Sequence, residues 1–190
     1  TIFLRIAAPA ALALTAALVL SGCSGPTGGH ESMPGMSAGD SAEANQADVM
    51  FAAMMIPHHE QAIEMSDVLL AKDDVDPEVA ALAERIKAAQ GPEIELMQGW
   101  LDDWGVDGMP SSMDHGGMMD GDDMDALEQA SGAEASRLFL EQMIVHHEGA
   151  IDMAQTELAD GENPDALALA EQIIDAQSTE IAEMQGMLAR

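Results

Sequence analysis

The chain contains one eleven-residue segment written twice, and this duplication limits the possible fold more than any other feature. Met55–Met65 reads MIPHHEQAIEM and Met143–Met153 reads MIVHHEGAIDM, so eight of eleven positions are identical. A second pair of segments, Leu82–Leu101 and Leu169–Leu188, shares twelve of twenty positions. Each half of the chain is therefore predicted to be the same unit, and the two units are expected to bury their apolar faces against each other.

Composition and capping signals predict that each unit is a helical hairpin. Helix-forming residues dominate, tyrosine is absent and aromatic residues make up only 3%, which argues against a β-sandwich or barrel. Four N-cap signals mark expected helix starts, at Asn45, Asp76, Ser131 and Asn163. The fold class predicted is all-α, a four-helix bundle made of two duplicated helical hairpins.

The first 45 residues are predicted to lie outside this bundle. An apolar run follows Arg5 and leads into Leu20-Ser21-Gly22-Cys23, which resembles the lipobox of bacterial lipoproteins. We predict a lipoprotein signal peptide over residues 1–22, a flexible tether over 23–45 and the bundle domain over 46–190. The alternative is an uncleaved membrane anchor. Both alternatives export the domain, and with a lipid on Cys23 it is held at the outer face of the cytoplasmic membrane or faces the periplasm.

Charge and cysteine content exclude several functions. The 35 acidic and 6 basic side chains give a formal net charge of -29, which repels nucleic acids and attracts cations. A simpler explanation is that the acidic residues only solvate the surface. Cys23 is the only cysteine, so an internal disulfide and a multi-thiolate metal site are both excluded.

Four of the six histidines stand in the two matching pairs, and histidine is the commonest metal ligand. At 100° per residue, His58 and His146 fall on the inward faces of their helices, whereas His59 and His147 fall at the edges, towards an adjacent helix. Imidazole and thioether groups together suit copper, with sulfur favouring Cu(I). The predicted metal ligands are His58, His59, His146, His147, Met55, Met65, Met143, Met153, Met97 and Met184.

The same residues have a structural alternative. Methionine stripes at helical spacing are common in plain hydrophobic cores, and an inward histidine is often a hydrogen-bonded core residue. Met97 and Met184 share their helix faces with Gln90 and Gln177, and glutamates flank these faces. The duplication of whole pairs favours the metal interpretation.

A linker rich in Met, His and Asp is predicted over residues 105–130, and no secondary structure is expected from Gly105 to Asp125. Its possible metal ligands are Met109, Met113, His115, Met118 and Met119. Flexible methionine and histidine side chains wrap a soft cation without a preformed geometry. The alternative is a low-complexity connector whose methionines have no function.

The doubled motif, each copy followed by a Gln-x-x-Glu-Ile-x-x-Met stretch, resembles the bacterial family called domain of unknown function 305. The resemblance covers about Asp48 to Leu188 and does not include the acidic linker. It implies a ferritin-like four-helix bundle, usually exported, with some members linked to copper binding and copper tolerance. In this chain the family motif falls on Met55, His58, His59, Met65, Met143, His146, His147 and Met153.

No catalytic constellation is recognisable. The Glu-x-x-His signature of di-iron bundles and the His-Glu-x-x-His signature of zinc proteases are both missing from the histidine segments. We therefore predict an extracytoplasmic lipoprotein that binds copper for sequestration, tolerance or delivery, and not an enzyme. The alternatives are a metal-free helical interaction module of the cell envelope and a metal-dependent redox enzyme. The sequence indicates metal ions and a membrane as partners, and it identifies no protein partner.

Overall fold

The computed structural model of the protein describes residues 44–106 and 116–190, which all belong to one compact unit. The predicted signal peptide, the lipidation site Cys23 and most of the tether lie outside the described residues. No helix in the described ranges is long and apolar enough to cross a membrane. The helices are α1 (Gln46–Leu70), α2 (Pro77–Asp103), α3 (Gly121–Gln129), α4 (Gly132–Asp160) and α5 (Pro164–Leu188).

Local capping explains where the long helices begin. Asn45 forms a capping box with Asp48 at the start of α1, and the side chains of Asp76 and Asn163 accept N–H groups of the first turns of α2 and α5. These three predicted starts are confirmed. The predicted capping box at Ser131 is wrong, because its side chain makes no cap hydrogen bond although α4 does begin there. The next residue, Gly132, has a left-handed φ of 55°, so the first turn lacks the regular geometry that a capping box needs.

The predicted linker contains a fifth helix. Asp120 caps α3 and forms a capping box with Asp123, and Leu127 is completely buried between the long helices. The expectation of no secondary structure from Gly105 to Asp125 is therefore wrong from residue 121 onward. The reason is that burial of one leucine and a good N-cap together stabilise a nine-residue helix that local sequence alone leaves marginal.

The four long helices form the predicted bundle of two hairpins. Helix α1 packs on α2 and α4 packs on α5, and the hairpins meet along α1 and α4. On the fourth side α2 and α5 lie farther apart, and an exposed ion pair of 2.6 Å joins Arg85 to Glu183. Neighbouring long helices are antiparallel, as expected for hairpins related by an approximate two-fold axis. The all-α prediction is confirmed.

The bundle core is divided into two apolar clusters by a polar layer. The first cluster contains Met65, Leu82, Phe139, Met143 and Met184, among others. The second cluster contains Phe51, Met55, Met97, Ala150 and Ile173, among others. Each long helix contributes buried histidine or glutamine residues that stand between the residues of one cluster and those of the other: His58, His59, Gln90, His146, His147 and Gln177. We call this set the histidine layer.

Two buried side chains, one from each hairpin, form hydrogen bonds with the turn of the opposite hairpin. The Asp48 carboxylate of α1 accepts the backbone N–H groups of Glu162 and Asn163 at 3.0 and 2.9 Å. At the equivalent corner, the Ser136 hydroxyl of α4 accepts the N–H of Asp76 at 3.0 Å. All three bonds satisfy N–H groups at the start of α2 or α5, the two outer helices, where the helix itself provides no acceptor.

The corner at Asp48 contains a second buried carboxyl group, that of Glu157. Burial raises the pKa of Glu157 to about 8, and the adjoining Asp48 carboxylate contributes to the rise. Burial also acts on Asp48, but the backbone N–H groups of Asn163 and Asn45 and the neighbouring Glu157 lower the pKa of Asp48. At neutral pH the corner therefore holds one carboxylate and one protonated carboxyl group.

We predict that Glu157→Gln stabilises the protein at alkaline pH. The folded state retains a proton that Glu157 loses in the unfolded chain between about pH 4.5 and 8, so wild-type stability falls as the pH rises through this range. Glutamine is neutral at every pH, and we expect a gain on the order of 1–3 kcal/mol at pH 8 that disappears near pH 4.5. Urea unfolding at both pH values measures it. The exposed Glu162→Gln removes the same charge from the same corner, and an equal gain in that control would contradict the prediction.

Candidate metal centre

The two histidine pairs lie opposite each other at the centre of the α1–α4 contact, and all four side chains are fully buried. The rings of His58 and His146 are 3.7 Å apart between centroids, with 38° between their planes. The helical period predicted this inward direction for the first histidine of each pair. The structure adds that the two rings contact each other across the approximate two-fold axis.

The second histidine of each pair contacts an outer helix. Nε2 of His59 lies 2.7 Å from Oε2 of Glu93 on α2, and Nε2 of His147 lies 2.6 Å from Oε2 of Glu180 on α5. The predicted orientation towards an adjacent helix is confirmed. The predicted position at the edge of the apolar stripe is corrected to full burial, because the outer helix covers the ring.

These two hydrogen bonds leave one ring nitrogen of each outward histidine available. Since a carboxylate accepts, Nε2 of His59 and of His147 donates to it, and in the neutral ring Nδ1 then carries the lone pair. In both residues Nδ1 is buried and has no hydrogen-bond partner. A carboxylate behind a histidine whose other nitrogen is open is the usual support of a metal-binding imidazole.

The ring of His146 is neutral at physiological pH. Burial lowers the pKa of His146 well below its ordinary value, and the nearby rings of His58, His147 and His59 lower it further. A neutral imidazole keeps a lone pair, and only that form binds a metal ion. At His146 the layer therefore favours a neutral or metal-bound imidazole over an imidazolium ion.

The predicted methionine ligands lie above and below the histidine layer. Met65, Met143 and Met184 are buried in the first cluster, whereas Met55 and Met97 are buried in the second. Met153 is only half-buried, at the edge of the second cluster. The structure thus brings all ten predicted bundle ligands into the layer or one of the two flanking clusters.

The donor set fits a soft ion better than a hard one. In the two described stretches of chain, no three His, Cys, Asp or Glu side chains are grouped closely enough to hold an ion together. An ion in this layer would need imidazole nitrogens together with thioether sulfurs, and such a mixture suits Cu(I) and related soft cations. The residues present therefore fit copper and do not fit Mg²⁺ or Ca²⁺.

Sequence reasoning missed the role of two glutamates. The sequence pattern places Glu93 and Glu180 only beside an apolar face, yet in the structure each orients a histidine. The repeat contains a sequence signal for this role, because the pattern Gln-x-x-Glu recurs in α2 and α5. The buried amides of Gln90 and Gln177 belong to the same repeat, and the Oε1 atom of each has no hydrogen-bond partner.

Residues 116–119 of the predicted linker cross the α1–α4 seam close to the histidine layer. The backbone of Gly116 and Gly117 contacts Gly149 of α4. The backbone of Met119 exchanges two hydrogen bonds with the Gln61 side chain of α1, at 2.7 and 2.8 Å. Gln61 and Gly149 are equivalent positions of the repeat, each three residues after an inward histidine. We call residues 116–119 the strap.

The strap contains two of the predicted linker ligands. Met118 and Met119 are both half-buried, and Met119 packs against the first cluster. The other predicted linker ligands, Met109, Met113 and His115, lie outside the described residues.

Comparison with known proteins relates this arrangement to a family and to metal-bound structures. The family model of the Domain of unknown function (DUF305) matches residues 48–188. A DUF305 fragment from Deinococcus radiodurans is 32% identical, with a TM-score of 0.71, and the match covers 77% of this chain and 98% of that one. A DUF305 protein from Streptomyces coelicolor, described as secreted, is also 32% identical, with a TM-score of 0.71 and coverage of 75% and 91%.

The structure of CopM in its Cu(I)-bound form is 35% identical to this chain, with a TM-score of 0.65. The match covers 75% of this chain and 96% of CopM. CopM has also been solved in Cu(II)-bound and Ag-bound forms. No curated protein matches the chain.

We predict that Gly149→Ala destabilises the protein by about 1–3 kcal/mol. A Cβ atom at this position would lie 2.2 Å from the carbonyl oxygen of Gly116, so either the strap or α4 must move. Gly99→Ala is the matched control, because Gly99 lies inside α2 with no atom near its Cβ position and alanine there is expected to stabilise by roughly 0.5–1 kcal/mol. Chemical unfolding of both variants measures the difference. Equal changes in stability would show that the strap contact is not rigid.

Proposed function

The chain belongs to the family of the Domain of unknown function DUF305, and from this premise we propose that it is an extracytoplasmic protein that binds copper for sequestration, tolerance or delivery. The observation that carries the proposal is the histidine layer. Four buried imidazoles meet at one level of the core, with buried methionines on both sides. The Cu(I), Cu(II) and Ag forms of CopM support it, since CopM shares 35% of its residues over 75% of this chain.

Three of the histidines, the two glutamates behind them and the flanking methionines have separate roles in holding the ion. His59 and His147 offer open Nδ1 atoms, while Glu93 and Glu180 fix their rings from behind. His146 remains neutral and therefore able to ligate. The flanking thioethers provide soft donors that favour Cu(I) over Zn²⁺. Copper is here the cargo of the protein, and the chain's own contribution is to select and enclose it.

The proposed location outside the cytoplasm rests on the N-terminal segment and not on the histidine layer. The lipobox ending at Cys23 supports export and attachment to the membrane through a lipid, and the Streptomyces coelicolor relative described as secreted supports export. The formal charge of -29 concentrates cations around the domain, which favours capture of a metal ion at the cell surface.

We propose binding and not catalysis as the role of the site. The four histidines have no exposed surface, which suits a small ion and not an organic substrate. Protein purified from the cell envelope is expected to contain copper on elemental analysis. Iron in place of copper would favour the redox-enzyme alternative, and protein that contains and binds no metal would favour the interaction-module alternative.

We predict that His58→Ala combined with His146→Ala weakens Cu(I) binding by at least tenfold. The double variant removes the two rings that contact each other at the centre of the layer. Competitive titration with a chromophoric Cu(I) chelator measures the affinity. Glu60→Gln combined with Glu148→Gln is the control, because these glutamates follow the histidine pairs in both copies but are exposed. Unchanged affinity in the histidine double variant would remove the layer from the proposed function.

We predict further that Glu93→Ala combined with Glu180→Ala lowers Cu(I) affinity by roughly 10- to 100-fold, the usual effect of losing the carboxylate behind a metal-binding histidine. The two glutamates hold His59 and His147 at 2.7 and 2.6 Å. The same titration measures this effect. Glu95→Ala combined with Glu171→Ala removes two exposed carboxylates of the same outer helices. A similar loss in that control would assign the effect to net charge and not to orientation of the rings.

A further inference from the structure

The approximate two-fold symmetry of the bundle does not hold along the seam between α1 and α4, because the two ends of this seam differ. At one end α3 covers the seam between α1 and α4, where Leu127 is buried and the Gln142 side chain donates to the Asp123 carbonyl at 2.8 Å. The equivalent seam at the other end lies between the first half of α1 and the last half of α4. None of the described helices covers it, and an open groove of about 680 Å³ lies there instead.

Three methionines line this groove. Met50 and Met54 lie one turn apart on the same face of α1, and Met153 faces them from α4. All three side chains are half-buried, so they are not part of the closed core. Three thioethers around one accessible groove form a soft donor set, and thioethers select Cu(I) and similar monovalent ions over Zn²⁺ or Mg²⁺.

The methionine set is not a by-product of the duplication. In the other copy, Leu138 and Gln142 take the places of Met50 and Met54. Of the three repeat counterparts, only Met65, which matches Met153, is a methionine, and it is fully buried. Leucine would be sufficient if the seam needed only an apolar surface, and Leu138 stands at the position of Met50 in the copy that α3 covers.

Charge and position favour a cation in the groove. The exposed acidic residue Asp160 lines the same groove. Met54 precedes His58 by four residues, which is about 6 Å along the helix axis. Met153 and Thr156 also border a second groove that reaches Gly116 of the strap. This groove, which we call the methionine groove, is open to solvent. It lies next to the strap on one side and one helical turn from the histidine layer on the other.

We propose that Met50, Met54 and Met153 form a second, surface-accessible site for a soft monovalent cation, Cu(I) or Ag(I), through which the ion reaches the histidine layer. The proposal rests on the proposed function in one respect, since it assumes the same cargo. The site itself is defined by different residues, on the outside of the bundle. Its thioethers hold a monovalent ion without releasing a proton, in contrast to sites that must deprotonate a ligand.

The test uses Ag(I), which is redox-inert, with the full chain. Native mass spectrometry and competitive titration count Ag(I) equivalents in the wild type, in Met50→Leu/Met54→Leu/Met153→Leu, and in His58→Ala/His146→Ala. Leucine is close in volume and keeps the groove apolar. We expect the leucine variant to lose one equivalent, or to bind it at least tenfold more weakly. Met124→Leu/Met187→Leu, which changes half-buried methionines outside the groove, is the control.

A second measurement locates the ion independently of stability. Peroxide oxidation of the wild type, followed by peptide mass spectrometry, is expected to show protection of Met50, Met54 and Met153 by Ag(I). Full Ag(I) stoichiometry and affinity in the leucine variant, or equal oxidation with and without Ag(I), would overturn the proposal. A loss confined to the histidine variant would reject the groove and keep the histidine layer. A loss confined to the leucine variant would keep the groove and reject the layer.

Discussion

Two hydrogen bonds made by fully buried histidines, His59 to Glu93 and His147 to Glu180, set the height of α2 against α1 and of α5 against α4. A buried imidazole without a partner costs about 1–3 kcal/mol, so each outer helix must place its glutamate at the level of the histidine. With that level set, the apolar residues of every long helix fall into one cluster or the other. The arrangement of the core therefore depends on a polar contact and not on apolar packing alone.

A polar layer through the middle of a small core is costly, which explains why it indicates function. The amide oxygens of Gln90 and Gln177 and the Nδ1 atoms of His59 and His147 are buried without hydrogen bonds, and apolar residues of similar volume avoid that cost. Local departures from good packing concentrate at functional sites. The two apolar clusters contribute the stability, and the layer between them contributes the groups that we propose to bind copper.

The two hairpins are copies of one unit, but they differ at single positions, and these positions contact different parts of the chain. Gln61 in the first copy binds the backbone of Met119, whereas Gly149 in the second lets the strap approach α4 closely. Gln142 binds α3, while its counterpart Met54 lines an open groove. The seam between α1 and α4 is thus covered by α3 at one end and open at the other.

The sequence by itself determined the two-fold hairpin design, the starts of three long helices and the inward direction of His58 and His146, because caps and helical periodicity are local properties. Only the tertiary structure decided the rest. Helix α3 exists because Leu127 finds a seam between two distant helices, and the glutamate partners of the outward histidines lie 34 and 33 residues away along the chain. The raised pKa of Glu157 likewise requires its burial beside Asp48. These features depend on which helix faces meet and at what height, and the packing of the two hairpins sets both.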